Sequence, residues 1–282
     1  MRQNSEGRIA ISQSPHHPIS QSPNYPISQL VRGNVVEIFS GIQGEGIHVG
    51  RRQLFLRLAG CNLACDYCDQ PEARLVPALA LIERTAGRRN FIAARNPLGV
   101  ERTARALLRL DRPRGLHHAV SLTGGEPLMQ AGFLAALLPI LRRAGLRVLL
   151  ETNGTRPEEF RALRHLVDIV SMDFKLRSAT GRAMPAKAHR EFLRLAARGG
   201  REVYVKAVVS SRTTGKEIVR AAGLIAAIKR SVPLVLQPVT RRSRRTPAPP
   251  APVRLLEFLA AAGKVLPDVR VIPQTHKIIG QR

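Results

Sequence analysis

Cysteine is scarce in this chain. Among 282 residues there are three, Cys61, Cys65 and Cys68, all within the octapeptide CNLACDYC. An odd, local set excludes a disulfide framework, which spreads an even number of cysteines along a short secreted chain. A bridge inside the octapeptide would close a tiny loop and remove little entropy from the unfolded chain. Aromatic residues make up only 4% of the chain, too few for the stacking platforms of single-stranded nucleic-acid binding. Acidic residues are outnumbered, 20 against 45 Lys and Arg, for a formal net charge of +25. The basic residues are scattered, so the excess reads as an arginine-rich solvated surface rather than a nucleic-acid footprint. One dense run, RRSRR from Arg241 to Arg245, precedes TPAPPAP and reads as an exposed basic loop. No apolar run reaches the roughly 18 residues of a membrane span. No secretory-type apolar segment opens the chain. The expected location is therefore a reducing cytoplasm, where thiolates survive to hold a metal.

The chain begins with a repeat. ISQSPHHP (Ile11 to Pro18) is followed by ISQSPNYP (Ile19 to Pro26) and then ISQL. This Pro/Ser-rich pattern has no packing period, cannot bury a core, and predicts a disordered tail over residues 1–32. One domain is expected over residues 33–282. Its pattern alternates between strand and helix: QLFLRLAG, HAVSLTGG, RVLLETNG, DIVSMDFK, REVYVKAVV, VPLVLQPV and VRVIPQ read as strands, separated by helical stretches such as LMQAGFLAALLPILRRAG and AKAHREFLRLAARGG. Such alternation predicts an α/β fold with a parallel sheet and crossover helices. About six parallel strands are too few for a closed eight-stranded barrel, so a curved, partly open β/α barrel is expected. Between Glu72 and His118 one helix is expected, in LGVERTARALLRL, and the rest reads as loop. His48, His117 and His118 match no motif and are expected in exposed loops.

In a parallel α/β sheet the functional groups gather at the C-terminal ends of the strands. There the sequence places CNLACDYC, then TGGEP (Thr123 to Pro127), ETNG (Glu151 to Gly154), SMDFK (Ser171 to Lys175) and QPV (Gln237 to Val239). Polar residues at strand end after strand end imply a ligand lying across the mouth. Three thiolates on one loop look like metal ligands. A structural zinc site takes four protein ligands, and an iron–sulfur cube usually takes four cysteines. Either a distant histidine completes the set, or an open position binds something else. A zinc-containing basic nucleic-acid-binding protein stands as the reading from a different class.

C-x3-C-x2-C with Tyr67 before its last cysteine, followed by GGEP after the next strand, resembles the radical S-adenosylmethionine (SAM) enzymes. The resemblance implies a 4Fe–4S cluster on Cys61, Cys65 and Cys68. It also implies SAM chelating the fourth iron and a 5′-deoxyadenosyl radical that abstracts hydrogen from substrate. It implies a backbone approach to the SAM amine at Gly124 and Gly125, with Glu126 as acceptor for that amine. Tyr67, Glu151, Asn153, Ser171, Lys175 and Gln237 fall where related enzymes hold the rest of SAM.

EIFSGIQGEGIHVGRRQLFLRLAGCNLACDYCD (Glu37 to Asp69) and QTHKIIG (Gln274 to Gly280) further resemble the 7-carboxy-7-deazaguanine synthases. That family converts 6-carboxy-5,6,7,8-tetrahydropterin to 7-carboxy-7-deazaguanine, a ring contraction with loss of ammonia on the path to queuosine. The resemblance implies Gln43, Glu45, Thr123 and His276 as pterin contacts and Arg57 as a planar clamp on the substrate carboxylate. Where the family has CDT this chain has CDQ, so Gln70, through its amide oxygen, is the implied Mg²⁺ contact. A flavodoxin-like electron donor and a homodimer are further implications. The nearest alternative is another radical SAM enzyme, such as a glycyl-radical activase.

Overall fold

The computed structural model describes residues 31–241 and 246–282. The repeat and most of the basic run therefore lie outside the described residues. The chain opens with β1 (Arg32–Gly33), β2 (Val35–Ile42) and β3 (Arg52–Leu58), then β4 (Leu79–Glu83), β5 (Phe91–Arg95), β6 (Leu98–Gly99) and α1 (Val100–Leu110). The regular alternation follows: β7 (Val120–Gly124), α2 (Ala131–Arg143), β8 (Val148–Thr152), α3 (Pro157–Leu163), β9 (Ile169–Asp173), α4 (Arg177–Thr180), α5 (Ala186–Ala196), β10 (Glu202–Val209), α6 (Gly215–Lys229), β11 (Leu234–Pro238), α7 (Pro252–Gly263), β12 (Val269–Val271) and α8 (Thr275–Ile278).

Ten strands form one sheet in the order β12-β11-β10-β9-β8-β7-β3-β2-β4-β5. From β3 through β7 to β12 every neighbouring pair is parallel. Among the described residues β12 and β5 are the edges of this sheet, so it is a partial barrel and does not close. Period-2 alternation sorts its residues. On β3, Leu54, Leu56 and Leu58 enter the main hydrophobic core, while Phe55 and Arg57 face the central pocket. On β9, Val170 and Met172 are core and Ser171 and Asp173 line the pocket. The helices cover the core face; α2 presents Phe133, Leu134, Leu137, Leu138 and Leu141 to it at helical spacing. A smaller cluster, Ala119, Leu149, Ile169, Tyr204 and Val235, fills the barrel interior and packs on Ile47 from the short 3₁₀ turn Gly46–His48.

Two expectations are corrected. The stretch after Glu72 contains a hairpin, β4 antiparallel to β5, which β4 joins to the sheet by pairing parallel with β2. It reads as loop because it is an edge: Leu79 and Ile92 are exposed, and its connection is the arginine-rich ERTAGRRN. The three histidines are not in exposed loops. His48 and His117 are buried, and His118 is half-buried. His117 Nδ1 lies 2.8 Å from Asp111 Oδ1 and its Nε2 2.8 Å from Ser40 Oγ. His118 lies between Gln53 (3.2 Å) and Arg147 (3.1 Å). The turns before β7 and after β2 fold under the barrel and bury them.

Candidate active site

The cysteine loop leaves β3 at its C-terminal end. Its start is tied down by backbone bonds: Gly60 N donates to Ala73 O at 2.8 Å and Glu126 N donates to Gly60 O at 2.8 Å. Cys61, Cys65 and Cys68 are half-buried, free of disulfides, and all line the pocket. Burial pushes the Cys65 and Cys68 thiols up. Three thiols converging from one loop on one cavity fit a cluster that borrows its last ligand from a small molecule. Tyr67 packs beside them, and its hydroxyl accepts from Lys175 Nζ at 2.8 Å. Burial and the nearby Asp173 carboxylate push that phenol above its ordinary range, so it stays protonated.

The strand ends β7 to β11 supply the next wall. Thr123, Gly124, Gly125, Glu151, Asn153, Ser171, Lys175 and Gln237 all line the pocket. Glu126 does not. It is fully buried, and its carboxylate accepts from Leu128 N (3.1 Å), Thr152 Oγ1 (2.8 Å) and Asn153 N (2.7 Å). Glu126, expected at the SAM amine, thus spends its carboxylate on the protein's own donors beside the pocket. Its side chain points away from the cavity and locks β7 to the turn after β8, thereby placing Asn153. Burial alone would depress the Lys175 ammonium, but Asp173 at 2.7 Å raises it, and it remains charged.

Asn153 has a second support. His189 on α5 is fully buried, its Nε2 lies 3.0 Å from the Asn153 carbonyl, and its ring stacks on Phe174 with centroids 4.7 Å apart. Burial lowers its pKa from 6.5 to about 4. Above pH 6.5 the histidine is neutral in folded and unfolded chains alike. As pH falls from there toward 4, only the unfolded chain takes up the proton. Stability is therefore lost in that window, by roughly 3 kcal/mol at its acid end. His189→Phe is expected to flatten urea-midpoint loss between pH 7 and pH 4.5; an unchanged pH slope would refute this.

Further lining comes from β3, the turn after β2 and the segment after β12. Gln43 Nε2 donates to Glu151 Oε1 (2.9 Å) and Gln53 Oε1 (3.1 Å). Glu45 is paired with Lys206 and accepts from Gln274 Nε2 at 2.6 Å. Burial would raise the Glu45 carboxyl, but Lys206 and Gln274 outweigh it and hold it at about 2. His276 crosses the mouth directly over Gly44, where a Cβ would lie 2.1 Å from the imidazole Nδ1, so no other residue fits at that crossing. Burial lowers the His276 pKa, leaving the ring neutral at pH 7. Arg57 lines the pocket, and its Nε is committed to buried Glu37 at 2.7 Å. Arg282 reaches the other Glu37 oxygen at 2.5 Å. Two guanidinia thus share one carboxylate, leaving an excess positive charge facing the cavity.

Gln70 also lines the pocket. Beside it, Glu45, Asp69 and His276 offer ligand atoms within 4.8 Å of one another. Both carboxylates are bridged by Gln274 Nε2, 2.8 Å from Asp69 Oδ2. Sequence reasoning missed Asp69, Asp173, Lys206, Glu37, Gln274 and Arg282 as site residues. The available signal was a charged residue at an inward position of an otherwise apolar strand, as with Lys206 in EVYVKAVV.

The comparisons with known proteins agree with this geometry. Residues 56–225 match the radical SAM superfamily. The chain is 43% identical over 247 residues to the 7-carboxy-7-deazaguanine synthase of Geobacter sulfurreducens, covering 87% of this chain and 96% of that protein. It is 39% identical to the enzyme of the same name from Methanopyrus kandleri, covering 87% and 93%. Among solved structures, QueE from Escherichia coli superposes with a TM-score of 0.54 at 21% identity, covering 90% of this chain and 99% of that one. With the three cysteines and residues of the QGEG and QTHK segments lining one pocket, the chain belongs to the 7-carboxy-7-deazaguanine synthase family of radical SAM enzymes.

Proposed function

We propose that this chain converts 6-carboxy-5,6,7,8-tetrahydropterin to 7-carboxy-7-deazaguanine, a carbon–nitrogen lyase reaction in queuosine biosynthesis. The observation that carries the reading is a single pocket lined by the three thiols and by Gln43, Glu45, Arg57 and His276. The cluster and SAM, held by Cys61, Cys65 and Cys68 and by the walls from β7 to β9, supply one-electron cleavage of the sulfonium when bound. The chain's own residues position the reactants. Glu45, ionised at neutral pH, accepts from the pterin amino group, and the Gln43 amide offers both a donor and an acceptor to the ring edge. Arg57 takes the substrate carboxylate, with Arg282 keeping Glu37 from neutralising it fully. His276 and Gln274 cover the mouth and exclude water from the ring. Mg²⁺ would be held by Gln70 and the neighbouring Asp69, whose hard oxygens suit it. A flavodoxin-type donor, a cytoplasmic location and a homodimer complete the proposal. No helix among the described residues is long and apolar enough to cross a membrane.

The test is anaerobic turnover of reconstituted protein with dithionite, SAM and 6-carboxytetrahydropterin, read by mass spectrometry. A deazaguanine carboxylate is expected. Formation of 5′-deoxyadenosine alone would remove the substrate assignment and favour another radical SAM activity. Arg57→Ala is expected to raise the substrate Michaelis constant ~10- to 100-fold, the cost of one charge-assisted hydrogen bond. Substrate-independent SAM cleavage should persist. An unchanged Michaelis constant would exclude the carboxylate clamp.

A further inference from the structure

Lys206 pairs with Glu45, and its position gives it a second partner. It stands on β10 between the core residues Val205 and Ala207, and its side chain is only 11% exposed. Parallel register sets it beside Asp173 of β9. Its ammonium touches Glu45 and lies 3.8 Å from Asp173 Oδ2. The same Asp173 oxygen accepts from Lys175 Nζ at 2.7 Å, and Lys175 also donates to the Tyr67 hydroxyl. On the other side Glu45 accepts from Gln274. A continuous polar chain therefore crosses the pocket from the segment after β12 to the cysteine loop, and Lys206 links its two carboxylates.

The two pairings are unequal. Burial alone would depress the Lys206 ammonium, but Glu45 and Asp173 raise it, so it stays charged. Glu45 holds it in direct contact. Asp173 holds it at longer range, and Asp173 Oδ1 is buried with no hydrogen-bond partner. An orphaned carboxylate oxygen is costly, so it accepts the ammonium once Glu45 loosens its hold. A ligand loosens that hold by using the Glu45 oxygens. An amino-pyrimidine edge presents parallel N–H donors to one carboxylate and competes there with Lys206 and Gln274. With Lys206 moved to Asp173, that carboxylate is shared by two ammonium groups, and Lys175 is less tightly held.

We propose that Lys206 is a positioning residue that couples the two ends of the pocket. Pterin binding at Glu45 shifts its ammonium toward Asp173 and releases Lys175 to the SAM carboxylate, so each ligand tightens the other. The inference rests on the reading under Proposed function. No bond forms or breaks and no proton is transferred; only the sharing of one ammonium changes. Coupling between sites is reciprocal, so SAM tightens pterin by the same factor.

The test is calorimetric and needs no turnover. SAM is titrated into reconstituted protein without reductant, alone and with saturating 6-carboxypterin, the fully oxidised and unreactive form of the substrate. In the wild-type protein 6-carboxypterin should tighten SAM by about 5- to 150-fold, the usual span of such coupling. In Lys206→Met the ratio should fall to within about twofold of unity, and Lys206→Arg should restore part of it. A purely structural role would weaken each affinity and leave the ratio unchanged. A wild-type ratio of one, or an equal ratio in wild-type and Lys206→Met protein, would overturn the coupling alone. Loss of all pterin binding in Lys206→Met would make Lys206 a plain substrate ligand and also overturn it. Failure of 6-carboxypterin to bind the wild-type protein would strike the proposed reaction and the coupling together. If Lys206→Met does not fold, Asp173→Asn carries the same comparison, because the amide keeps the shape and cannot hold the shifted charge.

Discussion

Cys65→Ala is expected to leave the anaerobically reconstituted protein colourless, with iron and sulfide near background and no SAM cleavage. Three thiols from one loop are the whole thiol inventory of the chain, so nothing can substitute. Removing the middle one leaves two irons of a cube without protein ligands rather than one. The surroundings reinforce this. Burial holds the Cys65 thiol protonated, while the nearby Lys175 ammonium favours the thiolate that a metal needs. The loss should exceed ~10³-fold in product formation, since the step removed generates the radical itself. Iron and sulfide per chain, with 5′-deoxyadenosine by mass, check it. A brown variant with normal turnover would remove the cluster assignment.

Gly125→Ala is expected to damage cluster assembly without touching a thiol. A Cβ at Gly125 would lie 1.9 Å from the Gly60 carbonyl oxygen and 2.6 Å from its carbon. These are backbone atoms, so no side chain can swing away. The same place carries two bonds that join the exits of β3 and β7: Gly125 N to Leu58 O at 3.0 Å and Glu126 N to Gly60 O at 2.8 Å. Relieving the clash means pushing Gly60 away, and Gly60 immediately precedes Cys61. Overpacking of this kind costs roughly 1–3 kcal/mol, and here it also displaces the thiolate loop. The expected result is a lower unfolding midpoint together with reduced iron content. Gly132→Ala is the contrast. A Cβ there meets nothing within 4 Å, and the residue is in α2, so it should be neutral or stabilise by up to about 1 kcal/mol. Wild-type stability and iron loading in the Gly125 variant would show that β7 and the cysteine loop are not coupled as the backbone bonds imply.

Much of the architecture was legible because it is periodic or local. The spacing of Cys61, Cys65 and Cys68 places three thiols on one loop whatever surrounds it. Alternation of apolar strands with amphipathic helices dictates parallel strands and crossovers, and hence polar groups at one edge. The hairpin β4–β5 was illegible because an edge pair, wet on one face, has no clean apolar period.

What the sequence by itself determined is the chemistry on offer: the thiols, the strand-end motifs and the order in which they meet the barrel mouth. Tertiary structure decided how each polar group is used. Glu126 belongs to the most telling motif, yet it faces the backbone of the β8 turn and not the cavity. Arg57 shares Glu37 with Arg282, residues far apart in the chain, and Glu45 meets Gln274 across 229 positions. Lys206 and Asp173 become pocket residues only because their strands curve around the same interior. The physical reason is that a carboxylate or guanidinium is satisfied by whichever partner lies within about 3 Å. That proximity is set by sheet register and curvature, which local spacing does not encode.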